Sequence, residues 1–354
     1  MADFIEDIKR ILEVAVHAPS GDNSQPWKFR VKSDQITLSA IPGRDNSLFN
    51  FKGRGDFVAH GALIENMHIA VSQFGYDMVV RIFPDTQNPH VTAEVVLKKK
   101  EPQEEPLFPY ISRRATNRKP YNISPLTEDQ KTQLRNAVSN HGVELILVDD
   151  PIKKQKFADA LSVNERLLLE NRVIHDYLFS LINWTASEEE KKRTGLFVKT
   201  LELLPPQRIV FGFFKIWPLV NLLNKIGLSK FLAKEGSKLY SASGAIGALI
   251  IPDDANKNFI ATGRAFQRVW LEATRLGLSI QPVAAVIYLH QRIVAHEASA
   301  LSSDQVEAVK HAYQTMSELC GANNKILSMT FRIGQGGDPS VRSLRREPEI
   351  NFVS

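Results

Sequence analysis

The chain has 354 residues, of which 43% are hydrophobic and 23% charged, and a formal net charge of +5. These values suit one large α/β unit or two domains and exclude a disordered or fibrous chain. A single cysteine, Cys320, excludes an internal disulfide and points to a reducing, cytoplasmic compartment; the acidic start MADFIEDIKRIL is unlike a signal peptide.

Residues 4–16 put Phe4, Ile5, Ile8, Ile11, Leu12, Ala15 and Val16 on one helical face. A polar stretch, HAPSGDNSQPWKF (17–29), leads from this helix to a strand. A second helix fits 57–74, with Gly75 as its C-terminal cap, and VTAEVVLK (91–98) alternates as a strand. The charged, proline-bearing run 98–109 reads as a linker between a first half, 1–100, and a second, 107–354.

Thr127 and Gln130 form a capping-box pattern that opens a helix to about residue 140, and VELILVDD (143–150) follows as a strand. Residues 151–240 look mostly helical, with Ser187 and Glu190 as a second capping box. GAIGALII (244–251) is a buried strand candidate, 256–276 a long helix stopped by Gly277, 303–320 a helix and 325–334 a last strand. The longest apolar stretch, 209–223, contains Lys215 and Pro218 and is shorter than the ~20 residues a spanning helix needs. It reads as a buried segment or a lid, with contact to a membrane surface as the alternative.

An internal repeat emerges from these elements. GALIENMHIAVSQFG (61–75) and GRAFQRVWLEATRLG (263–277) both run from glycine to glycine at one spacing, and IEDIKRILEVAV (5–16) aligns with TEDQKTQLRNAV (127–138). The second copy carries about 80 extra residues between these elements, so a duplication with an insertion is expected. The copies differ where chemistry would reside. Only the first keeps Ser20, Asn23 and Gln25 after its opening helix, and only the second is preceded by the basic run RRATNRK (113–119).

Ser20, Asn23 and Gln25 supply a hydroxyl and two amides, suited to holding a flat polar ligand edge rather than to activating a nucleophile. Trp27 reads as core packing or as a ring near that ligand. Arg113, Arg114 and Arg118 offer forked donors that grip a phosphate. RSLRR (342–346) is a second basic cluster, and no nucleic-acid-binding motif or aromatic stacking pattern accompanies either run. Two separated clusters can converge on one phosphate.

In order along the chain, APSGDNSQPWKF, ISRRATNRKPY, GRAFQRVWLEATRLGL and RIGQGGDPSVRSLRR resemble signature stretches of the nitroreductase-like flavoproteins. The reversed order of the first two is closest to the single-chain, internally duplicated, Acg-like branch. The resemblance covers nearly the whole chain and is weakest over 185–243. It implies an α+β nitroreductase-like fold, with mixed and antiparallel sheets surrounded by helices, in which one polypeptide forms a pseudo-dimer with one FMN site. A monomer is then expected, because no second chain is needed to complete the site.

The same resemblance implies site residues. Arg113, Arg114 and Arg118 would face the FMN phosphate, ribityl chain and ring edge. Pro19, Ser20, Asn23 and Gln25 would meet the ring from the other half. Gln281 and Pro282 of LSIQP would lie near the flavin N5, and Arg342, Arg345 and Arg346 would complete the phosphate site. The arginine motif has Ala115 where serine is frequent and is one residue longer before Arg118, which leaves its individual roles open.

The activity implied is hydride transfer from transiently bound NAD(P)H through FMN to a nitroaromatic, quinone or related small acceptor. No protein group is nominated as a catalytic acid, and no G-x-G-x-x-G fingerprint is present. A rival reading is an FMN-holding protein whose 185–243 insertion closes over the flavin, with Tyr240, Ser241 and Ser243 lining the pocket. A third is that the basic runs serve nucleic acid or an acidic partner instead. His17, His60, His68, His175, His290 and His296 lack metal-ligand spacing, Cys320 reads as packed, and Ser243 has no nucleophile-elbow context.

Overall fold

The computed structural model describes residues 2–353. The first half comprises α1 (Ala2–Ala15), the hairpin β1 (Trp27–Lys32) and β2 (Gln35–Ala40), α2 (Arg54–Gln73), β3 (Tyr76–Ile82) and β4 (Val91–Lys99). Ile8, Ile11, Leu12 and Ala15 of α1 are fully buried, while Ile5 lies at the solvent edge of that face. The alternation in β4 has its physical basis: Ala93, Val95 and Leu97 enter the core.

The second half opens with α3 (Glu128–Asn136), capped as its sequence requires, since Thr127 Oγ1 accepts from the Gln130 N–H and Gln130 Oε1 from the Thr127 N–H. It continues through β5 (Glu144–Val148) into a long excursion: α4 (Pro151–Leu161), α5 (Val163–Glu170), α6 (Arg172–Leu181), β6 (Ile182–Asn183), α7 (Ala186–Lys192), β7 (Leu196–Phe197), α8 (Pro205–Phe213), α9 (Trp217–Asn224) and α10 (Leu228–Ser241). The sheet resumes at β8 (Ala245–Ile251), followed by α11 (Asn256–Arg275), β9 (Ser279–Pro282), α12 (Ala285–Val294), α13 (Ser303–Leu319), β10 (Ile326–Gly334) and β11 (Ile350–Val353). The cap of α7 is Thr185 with Glu188, not Ser187 with Glu190. The run TASEEE holds both frames, and the earlier one prevails because Glu188 also accepts the Trp184 N–H at 2.6 Å, next to a ring packed on Phe211.

The two main sheets share one topology. The first runs β11-β1-β2-β4-β3 and the second β5-β8-β10-β9, so each orders the first, second, fourth and third strands of its half. These pairings are antiparallel, except that β11 joins β1 in parallel, Phe29 opposite Ile350. The chain is an internally duplicated pseudo-dimer whose last strand returns to the sheet of the first half. Where the first half turns from β1 to β2 through Ser33 and Asp34, the second inserts 149–244. β8 is buried throughout because a core lies on each of its sides. Ala245, Leu249 and Ile251 belong to one, Ile246, Ala248 and Ile250 to the other.

The halves meet where α2 crosses α11. A Cβ on Gly61 would sit 2.0 Å from the Ile260 carbonyl oxygen, and one on Gly263 1.9 Å from that of Val58. The repeated glycines therefore lie against each other's helix, and Gln267 Nε2 donates to Asn66 Oδ1 at 2.7 Å beside them.

Candidate functional site

After α1 the chain turns through 17–26 into β1. Asp22, Asn23 and Gln25 all hold left-handed backbone, with φ of 48°, 57° and 51°. Three such residues within four positions store strain, and Gln tolerates the region less well than Asn or Asp. The turn is held by Ser20 Oγ, which accepts the Gln25 N–H at 3.0 Å. Trp27 packs in the core near the His60 ring.

The arginine motif reaches this turn from the other half. Arg113 and Arg114 both close onto the Tyr110 carbonyl, so they sit on one helical turn and point different ways. Arg113 is exposed, over the Tyr110 ring. Arg114 is buried, stacked 4.4 Å from the Trp270 ring centre, and donates from Nη2 to the His17 carbonyl at 2.8 Å. Arg118 turns toward Asp22 and Tyr240 and donates to the Thr200 carbonyl at 3.0 Å. Residues 116–117 run alongside β9, Thr116 opposite Ile280, which brings Gln281 and Pro282 beside the motif.

The C-terminal run completes the cluster. Arg345 Nη1 donates to Asn23 Oδ1 at 2.7 Å, and the Arg346 N–H to Gln25 Oε1 at 2.9 Å. The Arg346 side chain itself is exposed near Glu349. Burial, then the charges of Arg345 and Arg342, push the Arg114 guanidinium well below its usual pKa. Burial lowers Arg345 to about 10 against the opposing charge of Glu189. Both arginines remain charged at neutral pH, so the site holds like charges together at an electrostatic cost. His17, depressed by burial and then by Arg345 and Arg114, stays neutral beside them. Among the described residues, Arg114 Nε and Arg345 Nε are buried donors without an acceptor. An acceptor-only anion such as a phosphate ester satisfies both the charge and the donors.

The amides on the opposite side are already engaged. Gln25 Nε2 donates to the Arg193 carbonyl at 2.6 Å, and Asn23 Nδ2 to that of Leu344 at 3.1 Å. Arg193 ends α7 in left-handed backbone, which aims its carbonyl at the turn. Thus 182–202 straps over the loop, secured by a small core of Phe179, Ile182, Phe197 and Val198 on which Val341 also packs.

No family model matches this chain. An uncharacterized protein of Mycobacterium tuberculosis is 24% identical over 343 residues, 95% of this chain and 47% of that protein, so the chain spans about half of that relative's length. A second M. tuberculosis protein, provisionally named NAD(P)H nitroreductase acg, is 24% identical over 287 residues, covering 80% of this chain and 81% of the relative. In sequence, this chain is similar to that nitroreductase-named relative. A solved structure provisionally named a nitroreductase, from Anabaena variabilis, aligns over 93% of this chain and 88% of its own, at 10% identity and a TM-score of 0.48.

The corresponding corner of the second half is different. The loop after α3 borders a cavity of about 310 Å³ lined by Asn136, Asn140, His141, Arg268, Glu272 and Arg275. Its cations are paired: Arg264 Nε and Arg268 Nε meet the two oxygens of buried Glu65 at 2.9 and 3.0 Å, and Arg275 bonds Glu272. Burial alone would raise Glu65, but the His141 hydrogen bond and both arginines outweigh it and hold it near 2. Among the described residues, Arg114, Arg118 and Arg345 of the first corner are in no ion pair, whereas Arg264, Arg268 and Arg275 of the second are.

Asn117 was not singled out from the sequence, although it lies inside the arginine motif. Its Nδ2 donates to the Gly337 carbonyl at 2.7 Å and to Ser279 Oγ at 3.0 Å, tying the C-terminal run to β9. Arg332 was also missed. It is fully buried over the Tyr121 ring and donates from Nε to Gln281 Oε1 at 2.8 Å, which engages that side-chain oxygen.

Glu165 lies behind the site, accepting the Tyr240 hydroxyl. Burial raises it to about 7 from 4.5, opposed by that hydrogen bond. A carboxyl raised in the folded state binds its proton more tightly there, so it takes away stability as pH rises from 4.5 through 7. The total is on the order of 3 kcal/mol by pH 8. Glu165→Gln keeps an acceptor for Tyr240 and removes this charge. Thermal melts are expected to show the variant more stable than the parent at pH 8 and equal to it at pH 5.

Proposed function

We propose that the chain binds FMN and acts as an NAD(P)H-dependent oxidoreductase on nitroaromatic, quinone or related small acceptors. The observation that carries this reading is the pair of buried, unpartnered Nε atoms on Arg114 and Arg345 within a like-charge cluster. When bound, FMN supplies the redox chemistry, accepting a hydride from NAD(P)H and passing it to the acceptor. Arg114, Arg345 and Arg342 would hold its phosphate. Pro19, Ser20, Asn23 and Gln25 would flank the ring from the first half (1–100), and Gln281 and Pro282 from the second (107–354). Arg118 would sit at the ring edge, partly neutralised by Asp22. Arg342 is itself exposed but lies close enough to act on buried Arg114, whereas Arg113 lies over the Tyr110 ring and the Arg346 side chain beside Glu349, so those two would contribute little. The provisional name of the acg relative agrees with this activity. The test is an absorption spectrum after reconstitution with FMN, then anaerobic titration with NADH and NADPH. Protein that stays colourless refutes binding, and a flavin that never bleaches refutes turnover.

A second reading, FMN held under a cover with little turnover, is favoured by the strap at 182–202. Its Arg193 carbonyl occupies the amides that would face the ring. Asn183 Nδ2 fixes the strap by donating to Glu189 Oε2 and the Thr194 carbonyl, both at 2.7 Å, without touching the loop. Asn183→Ala should loosen the strap and speed NADPH-dependent bleaching several-fold under this reading. An unchanged rate rejects it.

A further inference from the structure

We propose that the outer face of 204–234 docks on an anionic lipid surface. This segment belongs to the insertion, and the inference does not depend on the flavin reading. α8 has no buried residue, although its sequence PPQRIVFGF is mostly apolar. A surface helix normally turns its apolar stripe inward, yet Ile209, Val210 and Phe213 all point to water, Ile209 66% exposed. Its inner contact is made by Phe211, packed against Phe179 and Trp184, so the outer residues are left bare on an anchored helix. Ile209, Gly212, Phe213, Lys215 and Ile216 line an open groove of about 560 Å³. Further on, Leu222, Phe231 and Ile226 (82% exposed) continue the pattern.

Charge decides what covers this face. Residues 203–234 contain five cations and no acid. Lys215, Lys225, Lys230 and Lys234 are exposed, and among the described residues none is in an ion pair. A second copy of the face would bring like charges together. A bilayer bearing anionic headgroups accepts the apolar side chains at its boundary while the lysines snorkel to the phosphates. Among the described residues no helix is long and apolar enough to cross a membrane, so the segment would lie on the surface. Docking would place the strap over the candidate site close to the bilayer, because both share the Trp184–Phe211 contact.

Flotation of the full chain with vesicles of phosphatidylcholine, alone or with phosphatidylglycerol, tests this. Binding to the anionic vesicles is expected to be at least about tenfold stronger and to fall with added salt. Phe213→Asp should weaken it about tenfold or more, and each of Lys230→Glu and Lys234→Glu about fivefold or more. All three positions are exposed, so thermal melts should be unchanged. Equal binding to both vesicle types, or to neither, overturns the proposal. So does a concentration-dependent dimer in light scattering that Phe213→Asp abolishes, which would assign the face to a second copy.

Discussion

Gly263→Ala is expected to destabilise the protein by about 4 kcal/mol, seen as a lower denaturant midpoint. The new methyl would lie 1.9 Å from the Val58 carbonyl oxygen and 2.9 Å from the Ala62 nitrogen, both backbone atoms of α2. A clashing side chain can change rotamer, whereas a helix backbone must move as a unit. Opening the crossing would also pull Glu65 from Arg264 and Arg268 and leave a buried carboxylate poorly paired. Gly61→Ala should behave alike, since its methyl would meet the Ile260 carbonyl at 2.0 Å. Gly212→Ala is the contrast. It is helical with its nearest neighbour 3.9 Å away, and the substitution should stabilise by up to about 1 kcal/mol. A mild effect at Gly263 would mean that the helices are not in backbone contact and would remove the basis of the pseudo-dimer interface.

The crossing was legible because both helices announce themselves. Each has a long apolar repeat and a following glycine that adopts positive φ, 80° at Gly75 and 72° at Gly277. Shared spacing between such marks made the duplication visible, and the equivalent strand orders agree with it. β11 was not legible: its four residues pair with β1, more than 300 positions earlier, and no local pattern specifies so remote a partner. The insertion was legible as about 80 extra residues and was placed at 185–243, but its full span of 149–244 between two neighbouring strands was not, because adjacency in a sheet is not written locally. At the site, the resemblance nominated three arginines as equals. Helical geometry separates them, since Arg113 and Arg114 share one turn and only one can face inward. The engagement of Asn23 and Gln25 by the Arg193 carbonyl was hidden for another reason. A reading centred on side chains does not anticipate a backbone acceptor delivered by a left-handed residue 168 positions away from Gln25.

Arg345→Gln is expected to weaken FMN binding about 30-fold, within the range of one lost charge-assisted hydrogen bond to a phosphate. The same change should leave the unliganded protein equally stable, or more stable by up to about 1 kcal/mol. Glutamine can still donate to Asn23 Oδ1, the buried unpartnered Nε disappears, and Arg114 loses the neighbour whose charge most opposes its own. Fluorescence titration with FMN and thermal melts of the empty protein measure the two effects. Inorganic phosphate should raise the melting temperature of the parent and not that of the variant, because only an occupied anion site contributes linkage. The His17 pKa, held down in part by Arg345, should move up toward its ordinary value. Arg113→Gln, at an exposed position over Tyr110, should change the affinity less than about threefold. If Arg345→Gln lowered affinity and stability together, Arg345 would be a structural strut between Asn23 and the C-terminal run. Opposite signs identify a group kept in an unfavourable place because a ligand's charge relieves it there.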